Sequence, residues 1–104
     1  MNKALKLDQG KIPLELLPFE SLAEVGKVLA FGAEKYGRYN WRSGMEWTRL
    51  VGAVLRHTFA WMRGESIDPE SGLSHLAHAA CGLLFLLAYE LNQVGTDDRY
   101  APAD

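Results

Sequence analysis

The three histidines of the sequence, His57, His75 and His78, are its best candidates for metal chemistry. A turn that carries Glu65 and Asp68 separates His57 from the other two. If the segments on either side of this turn are helices, the short link makes them an antiparallel pair, with His57 and His78 at matching heights about 10 Å from the turn. Because His75 and His78 are three residues apart, they share one helix face. Three imidazoles and two carboxylates are then expected to converge.

Mixed sets of imidazoles and carboxylates bind ions such as Mn, Fe, Zn and Mg. We therefore expect a metal site built from Glu65, Asp68, His75 and His78, and catalytic roles for Glu65, Asp68 and His57, with Glu65 as ligand or general base. A purely structural interpretation stays open beside this one. Histidines on apolar helix faces are often hydrogen-bonded core residues, and Asp68 before Pro69 is a good helix cap.

A loop rich in aromatic and basic residues, 37–44, follows the first predicted helix. Cations there could contact phosphates, an amide could contact a base edge and an indole could stack on a base. Alternatively, Trp41 plugs the end of the helix bundle while the charged groups stay in water. The candidates for nucleotide binding are Lys11, Lys35, Tyr36, Asn40, Trp41 and Arg42, of which Lys11, Lys35 and Arg42 would contact phosphates.

The composition limits the class of protein that could carry these residues. A chain of 104 residues forms one domain, here residues 1–104, and its 48% hydrophobic content favours burial of some surface in a homodimer or homotetramer. A net charge of -2 argues against binding polymeric nucleic acid. The single cysteine, Cys81, indicates a reducing compartment, with the cytosol as the default. The N-terminus does not resemble an export signal, and the apolar stretch 76–89 is shorter than the roughly 20 residues of a membrane span.

The hydrophobic pattern predicts an all-α fold, a small bundle of three helices with an ordered N-terminal arm at residues 1–18. The first helix runs from Pro18 or Phe19 to about Tyr36, with Gly37 as its stop. The second runs from about residue 46 to 63, and the third begins with Asp68 or Ser71 as its cap and ends near residue 93. The apolar residues of the arm are expected to be buried, Trp47 and Met62 to belong to the core, and the tail 95–104 to be disordered. No segment alternates with a period of two, so no sheet is predicted.

Six segments taken together resemble a known family: DQGK (8–11), LLP (16–18), FGAEKYG (31–37), NWRSG (40–44), RH (56–57) and GESIDPESGLSHLAHA (64–79). They are similar to the phage and bacterial dATP/dGTP diphosphohydrolase N-terminal domain family, over roughly residues 5 to 90. That family resembles the MazG-like all-α nucleoside triphosphate pyrophosphohydrolases. The resemblance implies Mg²⁺ or Mn²⁺ dependence, release of a nucleoside monophosphate and pyrophosphate, and a bacterial or phage-infected host cell. Similar phage proteins supply dGMP where 2-aminoadenine replaces adenine in DNA. Two residues of the matching segments, Asp8 and Arg56, join the expected substrate-binding set.

The sequence departs from the MazG-like pattern at the metal ligands. Those enzymes carry a paired-glutamate motif on one helix and a Glu-x-x-Asp motif on the next. Here Arg56, His57 and Ala60 stand at the first motif, and His75 and His78 stand at the second. The ion would then be held by Glu65, Asp68 and the histidines, or by an acid of the first helix: Glu20, Glu24 or Glu34.

Together with the candidate residues, this resemblance implies a metal-dependent hydrolase that converts dGTP or dATP, or both, to the monophosphate and pyrophosphate. Its partner is a small nucleotide, without a membrane or a nucleic-acid polymer. Two other functions remain open. A phosphohydrolase of the His-Asp type would use similar residues but release triphosphate or orthophosphate, and a non-catalytic helical interaction module would keep the same core without a substrate.

Overall fold

The structure, a computed structural model, describes residues 3–101. It contains three α-helices, α1 (Phe19–Tyr36), α2 (Trp47–Met62) and α3 (His75–Asn92), and two short 3-10 helices, Leu14–Leu16 and Asn40–Ser43. Only two isolated β-bridges, and no strand, occur in the described part of the chain. The predicted all-α class and the number of main helices are therefore confirmed.

The predicted bounds of α1 and α2 agree with the structure to within a residue or two. Pro18 precedes the first residue of α1, where its missing N–H costs no hydrogen bond. At the other end, Gly37 has a φ of 96° and its N–H donates to the carbonyl of Ala33. Glycine adopts this backbone conformation without the strain that a side chain would add. The sequence signals for both ends of α1 were therefore correct.

The predicted start of α3 is wrong. The helix begins at His75, and its cap is Ser74, whose hydroxyl accepts hydrogen bonds from the backbone N–H groups of Leu76 and Ala77. Asp68 and Ser71 do not cap a helix, because their side chains are used inside the turn. The carboxylate of Asp68 accepts from the N–H of residue 70 and from the Ser71 hydroxyl. The α2–α3 turn, residues 63–74, is consequently longer than expected and forms a structured loop.

Helix α3 lies against both other helices and forms the centre of the bundle. It contacts α1 through one buried cluster that contains Val25, Val28 and Cys81. It contacts α2 through a second cluster, in which Tyr89 packs against Trp47 and other residues. Trp47 therefore belongs to the core as predicted. With α3 as a floor, α1 and α2 form the walls of a cleft.

The segment after α3 is tied to the start of α2, contrary to the prediction of a disordered tail. The indole N–H of Trp47 donates to the carbonyl of Val94 at 2.8 Å, and the Trp47 backbone N–H donates to Thr96 at 3.0 Å. The carboxylate of Asp98 accepts from both the backbone N–H and the hydroxyl of Thr48. The two bonds from Thr48 lower the pKa of Asp98. Together with the bond from Trp47 to Thr96, they satisfy the backbone N–H groups of Trp47 and Thr48, which have no partner within α2. The prediction for residues 102–104 lies outside the described residues.

The apolar side chains of the arm are exposed, so the prediction that they are buried is wrong for a single chain. Ile12 and Leu16 are 79% and 78% exposed, and Leu14 and Leu17 are exposed as well. Met62, assigned to the core from sequence, is also exposed. The helices bury their facing sides in two core clusters, and neither cluster includes a residue of the arm. None of the described helices combines the length and apolar character that crossing a membrane requires.

Replacing Tyr89 by phenylalanine should destabilise the fold by about 1–2 kcal/mol. Tyr89 is the most deeply buried large side chain, and its hydroxyl donates to the backbone carbonyl of Trp41. The substitution removes this buried hydrogen bond and leaves the carbonyl with only the backbone N–H of Gly44 as a donor. Urea unfolding followed by circular dichroism measures the change. Tyr100→Phe, at an exposed tyrosine, is the matched control and should leave the unfolding midpoint unchanged.

Candidate metal and nucleotide site

The helical hairpin of α2 and α3 brings His57 and His78 face to face. Their rings stack with centroids 4.5 Å apart and an angle of 6° between the planes. His57 lies in the second half of α2 and His78 in the first turn of α3, so the turn places them at the same level. The predicted proximity of these two histidines is therefore confirmed.

Asp68 completes a cluster that could hold a metal ion. One ligand atom from each of His57, Asp68 and His78 lies within 4.8 Å of the other two, and all three residues are half-buried. The Nε2 atom of His78 is 3.4 Å from a carboxylate oxygen of Asp68. Two imidazoles and one carboxylate are a common ligand set for divalent transition metals.

The electrostatics of the cluster favour the protonation states that a metal ion requires. Burial, together with the charge of His78, lowers the pKa of His57, and burial lowers that of His78. Burial alone would raise the pKa of Asp68, but the hydrogen bond from Glu70 N–H and the nearby histidines lower it overall. At neutral pH the imidazoles are therefore neutral, with free lone pairs, and the carboxylate is ionised. These are the forms in which both groups bind metals, so the residues present fit a divalent ion.

His75 and Glu65 lie behind this cluster as a second layer. His75 is buried, and its two ring nitrogens contact two different partners: Nε2 lies 2.7 Å from a carboxylate oxygen of Glu65, and Nδ1 lies 2.8 Å from Nδ1 of His57. The carboxylate accepts, so Nε2 of His75 donates to it. In a neutral ring Nδ1 then accepts from the Nδ1–H of His57, which leaves the lone pair of His57 on Nε2. Glu65 thus fixes the tautomer of His57 through His75.

Ser71 joins the cluster from the turn, in a role that the sequence did not suggest. Its hydroxyl oxygen lies 2.7 Å from Nε2 of His78 and 3.3 Å from Asp68 Oδ2, and it also accepts from the Leu73 N–H. The hydroxyl therefore links an imidazole and the carboxylate of the same cluster. Its position three residues after Asp68 is the signal that could have identified it.

The cluster opens into a cavity of about 790 Å³ between α1 and α2. This volume is in the range of pockets that hold small ligands. Its walls carry four cationic side chains, together with His57, Asp68 and His78 at one end. The cationic residues are Lys35, Arg38, Arg49 and Arg56. Arg38 and Arg49 were not singled out from sequence, although the seven-residue spacing of Arg49 and Arg56 places both on one face of α2.

The structure brings together five of the eight residues predicted to bind substrate. Lys35, Tyr36, Asn40, Trp41 and Arg56 all line the cavity. Asp8 and Lys11 lie in the exposed arm, and they are not part of the cavity wall. Arg42 does not line it either, because its guanidinium lies over the ring of Trp41, 4.7 Å from the centroid.

Trp41 anchors the 37–44 loop to α3. Its indole stacks on Phe85 at 4.4 Å with an angle of 5° between the planes, and its carbonyl accepts the hydroxyl of Tyr89. With Phe85 against the indole and Arg42 over it, little of the ring face is left for a base. This geometry favours the plug interpretation of Trp41. Tyr36 is exposed at the cavity wall, with the Lys35 ammonium 5.3 Å from its ring centroid.

A search against protein-family models matches residues 1–99 to the family described as dATP/dGTP diphosphohydrolase, N-terminal. The chain belongs to this family. Among curated proteins, it is similar to a dATP/dGTP diphosphohydrolase of Salmonella phage PMBT28, with 45% identity over 95 residues. The match covers 91% of this chain and 32% of the phage protein, so the chain spans about a third of that relative's length. No solved structure matches the chain. The family resemblance suggested by the sequence is thus confirmed.

Proposed function

We propose that this domain binds a purine deoxynucleoside triphosphate, dGTP or dATP, and hydrolyses it to the monophosphate and pyrophosphate. The name of the phage relative supports the activity. The reaction consumes one water and breaks the bond between the α and β phosphates. The relation to MazG-like enzymes and the requirement for Mg²⁺ or Mn²⁺ belong to the same proposal.

The observation that carries the proposal is the position of the metal-binding cluster at one end of a cation-lined cavity. His57, Asp68 and His78 would hold a divalent ion, and Arg49 and Arg56 would contact the phosphate chain. A bound divalent ion neutralises charge on phosphate oxygens and activates water. The arginines add fixed positive charge where negative charge increases during the reaction.

Gly52 in α2 leaves room for the side chain of Arg56 at the cavity wall. A Cβ atom at Gly52 would lie 3.3 Å from a terminal nitrogen of Arg56, so the Arg56 side chain folds back along α2 over this glycine. Both residues line the cavity. The guanidinium is thereby held along the wall, where a bidentate contact to phosphate oxygens is available.

The test is a screen of nucleoside triphosphates with Mg²⁺ or Mn²⁺, with products resolved by ion-exchange chromatography. We expect pyrophosphate and a purine deoxynucleoside monophosphate, and loss of activity in excess EDTA. Release of triphosphate or orthophosphate would instead indicate a His-Asp-type phosphohydrolase. Turnover of no nucleotide, by either this domain or a longer protein that contains it, would leave the helical interaction module as the better explanation.

We also propose that the domain assembles as a homodimer or homotetramer through α3. The helix exposes a stripe of leucines, Leu76, Leu83, Leu87 and Leu91, and monomers rarely leave such a continuous apolar surface in water. Light scattering at micromolar concentration should give at least twice the monomer mass of 11.6 kDa. Leu83→Glu combined with Leu87→Glu should lower that mass, whereas Leu5→Glu, in the arm, should not. A monomeric wild-type protein would contradict the proposal.

A further inference from the structure

One ion pair joins α1 to the turn that carries Asp68. The ammonium of Lys35, in the last turn of α1, lies 2.7 Å from a carboxylate oxygen of Glu70 in the α2–α3 turn. Among the described residues, the other ion pairs lie within one helix, at the start of α2, in the tail or within the α2–α3 hairpin. The contact between Lys35 and Glu70 is thus the ionic link across the cleft.

Both partners of this pair belong to the cavity wall, directly beside the metal-binding cluster. The backbone N–H of Glu70 donates to the carboxylate of Asp68 at 3.1 Å. On the α1 side, the Lys35 ammonium lies 5.9 Å from the ring of Phe31, which in turn contacts His78 edge-on at 6.2 Å. A polyphosphate in the cavity would therefore be attracted by the Lys35 ammonium and repelled by the Glu70 carboxylate, and these two groups are bound to each other.

The ion pair is easily exchanged for another partner. The side chains of Lys35 and Glu70 are 44% and 64% exposed, and exposed ion pairs contribute little to stability. A phosphate chain offers the ammonium several oxygens of higher charge density than one carboxylate, and charge-assisted contacts of this kind are the stronger ones. Hydrogen bonding to Glu70 raises the pKa of Lys35, so the ammonium is charged throughout the physiological range.

We propose that Glu70 is an internal competitor for the phosphate chain: its carboxylate holds Lys35 across the cleft, and a nucleotide binds by displacing it from the ammonium. The inference rests on the proposed function, because it takes the phosphate chain as the ligand of the cavity. Glu70 is then a positioning residue that acts through Lys35. It keeps the lysine at the cavity wall and makes weakly charged ligands poor competitors.

The test measures the affinity for dGTP and dATP by calorimetry in EDTA, without any divalent ion. Glu70→Gln should tighten binding about twofold to fivefold, because the competing charge is gone. Lys35→Met should weaken it about tenfold, and Lys35→Arg should recover most of the loss. In the double variant, Glu70→Gln should have no further effect, because the lysine on which it acts is missing. Lys27→Met, which breaks an exposed pair elsewhere on α1, is the matched control and should leave affinity unchanged.

Three results would overturn the proposal. If Glu70→Gln tightens binding equally in the Lys35→Met background, Glu70 acts only by general repulsion. If Glu70→Gln and Lys35→Met both weaken binding, the ion pair stabilises the shape of the cavity and does not compete with the ligand. If Lys35→Met binds as the wild type does, the lysine does not contact the ligand. In turnover assays, Glu70→Gln should lower KM and change kcat by less than about twofold, as expected when binding of the ground state and of the transition state improves equally.

The two proposals fail in distinguishable ways. If the variants bind nucleotides in EDTA with the predicted pattern but the protein hydrolyses none with Mg²⁺ or Mn²⁺, the displacement of Glu70 is supported and the hydrolase function is contradicted. If the protein hydrolyses a purine nucleotide but the two substitutions have additive effects in the double variant, the hydrolase function is supported and the displacement of Glu70 is contradicted.

Discussion

Replacing His78 by alanine should weaken Mn²⁺ binding by about 100-fold or more while the helices stay folded. His78 supplies one of three ligand atoms in the cluster with His57 and Asp68. Loss of a residue that merely supports a metal ligand already costs about 10-fold to 100-fold in affinity or activity, so loss of a ligand should cost at least as much. His57→Ala should have a similar effect. Calorimetric titration with Mn²⁺ measures the affinity, and circular dichroism confirms the helix content.

Glu90→Gln is the control for this titration, because it removes one exposed carboxylate from α3 outside the cavity. Its Mn²⁺ affinity should equal that of the wild type. A folded His78→Ala variant that binds Mn²⁺ as tightly as the wild type would remove His78 from the ligand set. The stacked histidines would then be structural, and the ion would have to be held by other acids.

The helices and the meeting of the histidines were predictable from sequence because they depend on local signals. Apolar residues at helical spacing, Pro18 and Gly37 defined α1, and the short connection between α2 and α3 required a hairpin. Once two helices form a hairpin, residues equally far from the turn meet. His57 and His78 come close to this rule: with the observed bounds, His57 lies six residues before the turn and His78 four residues after it, and their rings stack.

The remaining features depend on contacts that no local pattern specifies. Asp68 was a plausible helix cap, but Ser74 caps α3 instead, because the carboxylate of Asp68 accepts hydrogen bonds within the turn. The ordering of the tail depends on the meeting of Thr48 and Asp98, which are fifty residues apart. The ion pair of Lys35 and Glu70 likewise requires the placement of α1 against α3, which the sequence did not determine.

The position of Glu65 behind the proposed metal ligands leads to the second large expected effect. Replacing Glu65 by alanine should lower turnover by about 10-fold to 100-fold, as expected for a residue that supports a ligand from behind. Without the carboxylate, nothing holds the proton of buried His75 on Nε2. If that proton moves to Nδ1, it faces His57, which must then accept at Nδ1 and carry its own proton on Nε2. The lone pair that would bind the ion is lost.

Glu65→Gln separates this role from that of a general base. The amide oxygen of glutamine can still accept from Nε2 of His75, so the variant should keep turnover and Mn²⁺ affinity within about fivefold of the wild type, whereas Glu65→Ala loses both. If Glu65 were instead a general base or a metal ligand, its charge would be required, and Glu65→Gln would be as inactive as Glu65→Ala.

Asp68→Asn provides the comparison. It keeps the hydrogen bond from the backbone N–H of Glu70 but removes the charge of a proposed ligand, so it should abolish tight Mn²⁺ binding. Pyrophosphate release and Mn²⁺ titration of the three variants decide the role of Glu65. An inactive Glu65→Gln variant would show that Glu65 is a general base or a metal ligand. A fully active Glu65→Ala variant would show that His57 and His75 do not need its hydrogen bond.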